Sequence, residues 1–321
     1  MEPLAIIGCG LIGRGWAVCF ARAGVSVRLW DPTPGVANAA IDWISTTLVN
    51  MADAGLTDGE DVAAIVKRVT VCQTMTEAVD GVRHVQECAP EKIEMKRSLF
   101  AELDRLTPRG AVIASSASAL MASSFTEELP GRGRCLVAHP VNPPHLVPLV
   151  EVVPAPWTEP EVVERTVALM ADIGQKPIRL DREIDGFVLN RLQAAILDEA
   201  FRLVDDGYAD AEGVDACIRD GLAMRWVFMG PFETIDLNSP KGVREYVERY
   251  QPMFRGLTST MGTSADWSGP VLNRIEAQRR ERLEESELPE RQAWRDRQLM
   301  ALATFRRQQA DAGKPKVRTE L

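Results

Sequence analysis

Between a short apolar run, Leu4 to Ile7, and a helical pattern reaching Ala23 lies the turn Gly8-Cys9-Gly10-Leu11-Ile12-Gly13. Few folds place three glycines in this way. Gly8 allows a tight turn, Gly10 lets the backbone approach a pyrophosphate, and Gly13 lets the helix pack on the sheet. The start of the helix then offers free N–H groups to phosphates. Gly24 stops the helix, and Val25 to Trp30 alternates as a second strand ending at Asp31, eighteen residues after Gly13. A carboxylate there accepts bonds from an adenosine ribose diol and repels a 2′-phosphate. Pro32-Thr33-Pro34 supplies no arginine to bind one. Gly8, Gly10, Leu11, Ile12, Gly13 and Asp31 therefore predict NAD binding, with NADP disfavoured. The bland alternative, a glycine-rich turn that holds no dinucleotide, fits less well with strand, helix and acid all in register. FAD is also disfavoured, since no second flavin-type signature is present.

Further strands are expected at Arg68 to Cys72, His84 to Cys88, Ala111 to Ser115, Cys135 to Ala138, Leu149 to Val153 and Pro177 to Leu180. Helical patterns separate several of them, as at Ile93 to Leu106 and Pro160 to Ile173. This alternation predicts an α/β fold, a Rossmann-like doubly wound and mostly parallel sheet. After Asp185 the texture changes. Phe187 to Asp206, Val214 to Ala223, Ser239 to Tyr250, Pro270 to the mid-280s and Pro289 to Ala312 all read as helices. The expected division is residues 1–186 for the nucleotide-binding domain and 187–321 for an all-helical domain. Gly313 to Leu321 reads as a frayed tail.

With 321 residues the chain can bury two cores. Its net charge of −9 argues against nucleic acid and anionic membrane as partners, and an anionic substrate would need a local basic site. No apolar run approaches the roughly 20 residues a membrane span needs. The six cysteines show no metal-ligand spacing. Together with an N-terminus lacking a basic n-region, they predict a reducing, cytoplasmic setting.

The stretch from His139 to Glu151 holds a candidate base and a candidate carboxylate twelve residues apart, with four prolines between them. The prolines predict a rigid, irregular loop bounded by strands. Oxidising a secondary alcohol needs a proton acceptor, and a histidine, with an ordinary pKa of about 6.5, suits the task. An adjacent carboxylate would stabilise the imidazolium and fix the tautomer. Glu151 interrupts the apolar run Leu149 to Val153, where an unpaired acid is costly. Read alone, His139 is more readily a loop histidine bonded to backbone, and Glu151 fits the solvent face of an edge strand as well. His84 reads as structural; His145 shares the loop and stays open as a substrate contact.

Several blocks together resemble the 3-hydroxyacyl-CoA dehydrogenase family: the Gly8 to Gly13 turn, Ser115 to Leu120, His139 to Pro143, Leu149 to Glu151, Gly186 to Arg191 and Met229 to Glu233. Gln86 to Glu91, Ala138 to Pro144, Gly221 to Trp226 and Arg291 to Asp296 bring it nearest the λ-crystallin / L-gulonate 3-dehydrogenase branch. The resemblance implies an NAD-dependent 3-hydroxy acid dehydrogenase, with a helical C-terminal domain that closes the site and forms a homodimer. It implies His139 as catalytic base and Glu151 as its partner, with Ser118 and Asn190 bonding the substrate oxygen and Glu91 and Lys96 near the cofactor. Pro140-Val141 replaces the aromatic pair common after the histidine, and Ala119 replaces a second serine. By themselves, Ser118 reads equally as a strand-end turn, Asn190 as a cap, and Lys96 as part of a solvated helix face.

Arg225 interrupts the mostly apolar run Met224 to Phe232. A guanidinium there could grip a substrate carboxylate, or pair with Glu233 or Asp236. The branch points to L-gulonate. The other substrate readings are a 3-hydroxyacyl-CoA and carnitine, whose quaternary ammonium would need an aromatic cage from Trp157, Trp226 and Trp267. A different class of reading is a non-catalytic, crystallin-like protein that binds NAD.

Overall fold

The computed structural model describes residues 2–258, 261 and 265–312, so the tail expected at Gly313 to Leu321 lies outside the described residues. Eight strands form one sheet: β1 (Leu4–Ile7), β2 (Val27–Trp30), β3 (Val69–Val71), β4 (His84–Glu87), β5 (Val112–Ser115), β6 (Cys135–Pro140), β7 (Leu149–Pro154) and β8 (Lys176–Arg179). Their order is β3-β2-β1-β4-β5-β6-β7-β8. Every expected strand is present, within a few residues at each end.

Each neighbouring pair is parallel except β6 and β7. The exception follows from chain length. Parallel partners need a crossover of a dozen or more residues, and only 141–148 separates β6 from β7. The helices α1 (Leu11–Arg22), α2 (Val36–Asp53), α3 (Val62–Val66), α4 (Met75–Val79), α5 (Ile93–Leu106), α6 (Ser123–Thr126) and α7 (Pro160–Asp172) fill the other connections.

The inner strands β1, β4, β5 and β6 are buried on both faces, as helices on either side require. Leu4 and Ile6 of β1 join one apolar cluster with Trp16 and Phe20 of α1. Ala5 and Ile7, pointing the other way, join a second with Phe100, Phe125 and Phe187. The period-two alternation of β1 thus divides its side chains between two cores.

One compact unit comprises residues up to Asn190 together with the segment from Ala293. The other runs from Arg191 to Gln292. Helices α8 (Leu189–Asp205), α9 (Ala211–Ala216), α10 (Ala223–Trp226), α11 (Pro231–Leu237), α12 (Gly242–Thr258) and α13 (Gly269–Arg282) build this second unit, and α14 (Leu288–Ala312) follows them in the chain. The division differs from the 186/187 boundary, because α14 groups with the sheet. Met300 is part of the first core, Thr304 donates to the Ala54 carbonyl at 2.7 Å, and Arg307 pairs with Asp58. These contacts lie some 250 residues apart in sequence, which local patterning cannot anticipate. No helix among the described residues is long and apolar enough to cross a membrane.

Candidate active site

The nucleotide turn has the geometry its glycines require. Gly8 has φ +96°, and a Cβ there would sit 2.8 Å from the Cys88 carbonyl group. A Cβ on Gly13 would meet the Gly8 carbonyl oxygen at 1.9 Å. Around Gly10, by contrast, a Cβ would find nothing within 4 Å, so the space before the α1 N-terminus is open. No side chain caps that terminus. Leu11 and Ile12 open the helix, with their N–H groups free for an anionic ligand. Asp31 is held by the turn itself: Oδ2 accepts from the Cys9 N–H at 2.8 Å and Oδ1 from the Thr33 N–H at 2.9 Å. A cradle that a Cβ at Gly10 would fill, free N–H groups and a pinned acid are what a dinucleotide needs.

His139 lies inside β6, not in an irregular loop. The strand runs through Pro140, where a proline at its last residue is tolerated. His139 and Glu151 are direct partners in the antiparallel register, and Nδ1 lies 2.8 Å from Glu151 Oε2. Both are buried. Oε1 accepts the N–H groups of Val188 and Leu189 at 2.8 and 3.0 Å, at the start of α8. Burial alone would raise the Glu151 carboxyl, but bonds from His139, Leu189 and Val188 outweigh it and hold the group below the ordinary carboxylate value. An ionised Glu151 fixes the proton on Nδ1 and leaves Nε2 as the acceptor.

Asn190 follows directly, and its amide donates to the Ser118 carbonyl at 2.7 Å. Ser118 Oγ donates to Glu91 Oε2 at 2.5 Å, while Glu91 Oε1 accepts the N–H groups of Ser118, Ala119 and Leu120. Burial works against ionisation of Glu91, yet these four bonds keep its carboxyl below the ordinary value. His139, Glu151, Asn190, Ser118 and Glu91 therefore form one connected set at the carboxyl ends of the strands, the place where open α/β sheets bind ligands. With its hydroxyl hydrogen committed to Glu91, Ser118 Oγ keeps its lone pairs free.

Lys96 differs from the solvated helix face its neighbours suggested. It is 1% exposed, and Nζ contacts both Glu87 oxygens at 2.8 and 2.9 Å and Ser115 Oγ at 3.2 Å. The pair ties the ends of β4 and β5 together beneath the loops that carry Glu91 and Ser118. Glu87 was not singled out in the sequence; a lone acid in a strand otherwise fit for burial was its signal.

His145 is buried edge-on against Trp43, with ring centroids 5.4 Å apart, and its Nδ1 has no partner among the described residues. Arg225, in the second unit, is exposed on α10, and none of the described ion pairs joins it to Glu233 or Asp236. Two of the three cage tryptophans are engaged elsewhere. The Trp157 ring carries the Arg132 guanidinium at 4.7 Å, and Trp267 stacks on Phe201 at 5.2 Å.

Residues 3–184 match the family model for the 3-hydroxyacyl-CoA dehydrogenase NAD-binding domain, and 186–266 match that for the C-terminal domain of the same family. Lambda-crystallin of Oryctolagus cuniculus is 40% identical over 306 residues, covering 94% of this chain and 96% of its own. L-Carnitine dehydrogenase of Streptomyces griseus is 41% identical over 242 residues, 75% of this chain and 71% of its own. A solved structure of an NAD+-dependent 5-formyl-3-hydroxy-2-methylpyridine 4-carboxylic acid 5-dehydrogenase superposes with TM-score 0.81 at 25% identity, covering 95% and 98% of the two chains.

Proposed function

The chain belongs to the 3-hydroxyacyl-CoA dehydrogenase family, and on that footing we propose that it oxidises a 3-hydroxy carboxylate to the 3-oxo acid, with NAD as hydride acceptor and L-gulonate as leading substrate. The observation that carries the reading is the His139–Glu151 pair, buried at 2.8 Å in a ladder that fixes its register.

NAD, when bound, takes up the hydride from the substrate carbinol carbon. The turn Gly8 to Gly13, with Leu11 and Ile12 at the helix start, would hold its pyrophosphate, and Asp31 its adenosine ribose. His139 Nε2 accepts the hydroxyl proton. The charge that develops on the ring is met by Glu151 through Nδ1–H. The substrate hydroxyl has one hydrogen, which goes to His139, so Ser118 would bond the substrate oxygen as a donor, its O–H turning from Glu91, and Asn190 holds the Ser118 carbonyl in place. Glu91 anchors the Ser118 loop beside the cofactor. Lys96 acts from below, through Glu87.

L-Gulonate leads because the resemblance to the λ-crystallin branch runs nearly end to end. Arg225, exposed on α10, is the candidate cation for a free carboxylate. The carnitine reading draws on the L-carnitine dehydrogenase relatives. Against it, Trp157 and Trp267 already stack on other side chains. Exposed Met224, Phe228, Phe232 and Leu237 support a homodimer, with a second copy covering them. The free cysteines support a reducing cytoplasm.

The test is NADH absorbance with a panel of L-gulonate, 3-hydroxyacyl-CoA and carnitine, each with NAD and NADP. Turnover of the free hydroxy acid with NAD is expected. Tight NADH binding without turnover of any member would favour the non-catalytic, crystallin-like reading.

A further inference from the structure

We propose that Phe187 is a positioning residue for the His139–Glu151 pair, its left-handed backbone aiming two N–H groups at Glu151 and its ring holding the plane of the imidazole. The inference rests on His139 as the base. Gly186 and Phe187 are consecutive left-handed residues, with φ +73° and +51°. A glycine takes that conformation freely, whereas a bulky residue does so only where its surroundings over-determine it. The Phe187 N–H bonds the Ile184 carbonyl at 3.0 Å, closing a tight reversal. The next two N–H groups, of Val188 and Leu189, both reach Glu151 Oε1. With Oε1 taken, Oε2 is left for His139.

The ring itself is fully buried, in one core with Val137 and Val153, which flank the catalytic pair along β6 and β7. Its centroid lies 5.6 Å from that of the imidazole, at 52°. Glycine at 187 would suit the backbone better, and a β-branched residue would suit neither backbone nor ring. A phenylalanine held here against its conformational preference points to the ring contact. One residue thus orients both members of the pair, the acid through the chain that follows it and the base through its ring.

The chain has only three histidines, so imidazole 15N NMR resolves the His139 tautomer without any substrate. In its neutral form, wild-type His139 should carry the proton on Nδ1. Phe187→Gly keeps the left-handed turn and removes the ring. It should mix in the Nε2–H tautomer and lower kcat roughly tenfold or more, while NADH affinity changes less than about threefold. Phe187→Leu restores apolar volume without a flat face and should still show mixed tautomers, which keeps the test available if the glycine variant fails to fold. A single Nδ1–H tautomer in a folded variant, with kcat within about twofold of wild type, would reduce Phe187 to a core filler and overturn the proposal. The tautomer readout is independent of turnover. If His139 proved dispensable for catalysis, the base assignment would fall, while the NMR result would still decide whether Phe187 orients the ring.

Discussion

His139 and Glu151 face each other across the antiparallel β6–β7 ladder, Nδ1 to Oε2 at 2.8 Å, with the other carboxylate oxygen held by the backbone of Val188 and Leu189. The acid is therefore hydrogen-bonded from two sides and the base from one. Glu151→Gln keeps the size of the side chain but loses the charge and can present its amide NH2 to Nδ1, favouring the wrong tautomer. A drop in kcat of about 10²–10⁴-fold is expected, with NADH affinity nearly unchanged. Steady-state kinetics beside NADH fluorescence titration checks both halves.

Two glycines of the nucleotide turn should respond in opposite ways. Gly13→Ala drives a Cβ to 1.9 Å from the Gly8 carbonyl oxygen, so the protein should lose folded yield or several degrees of Tm. Gly10→Ala meets no atom within 4 Å, so Tm should hold. Its methyl projects where the pyrophosphate must come, so NADH should bind at least about tenfold more weakly. Thermal melts and NADH titration of the two variants separate these effects.

Lys96 and Glu87 form a buried ion pair whose halves need each other. Lys96→Met strands a carboxylate in the core and should cost about 3–5 kcal/mol in urea denaturation. Adding Glu87→Gln should recover most of that loss. If Lys96 contacted the cofactor itself, the double variant would regain stability but not NADH affinity; recovery of both is expected.

Acid should destabilise the protein well above the pH at which ordinary carboxylates titrate. Burial pushes His84 and His145 down to about 4. An unfolded histidine titrates at about 6.5, so between these values the unfolded chain binds protons that the folded chain refuses. The stability from these neutral rings is present above the upper value and is lost as pH falls toward the lower one, on the order of 3 kcal/mol each. Glu151, also lowered in the fold, loses its share further down. Urea midpoints should fall between about pH 7 and pH 5, and His145→Phe should flatten the slope. A variant slope equal to wild type would show that His145 is not among the groups responsible.

The strands and the nucleotide turn were legible because their signals are local: alternation, apolar runs, and glycines at positions only glycine tolerates. The pairing of His139 with Glu151 was legible as spacing, but its form was misread. Four prolines suggested a loop from the histidine onward, whereas the strand tolerates Pro140 at its end and the ladder itself makes the pair. The charge cluster Glu94-Met-Lys-Arg reads as a solvated helix face, yet Lys96 is buried and its partner Glu87 lies on another element. The return of α14 to the sheet and the left-handed Phe187 were not legible. One depends on contacts far apart in sequence, the other on a backbone angle that the residue type disfavours.

The central claim is that His139 removes the hydroxyl proton while the nucleotide turn holds NAD. It is tested most directly by His139→Gln, with turnover of the hydroxy acid and NADH binding measured on the same preparation. The account predicts a fall in kcat of at least about 10²-fold with NADH affinity intact. A variant that binds NADH and keeps near wild-type kcat would contradict it.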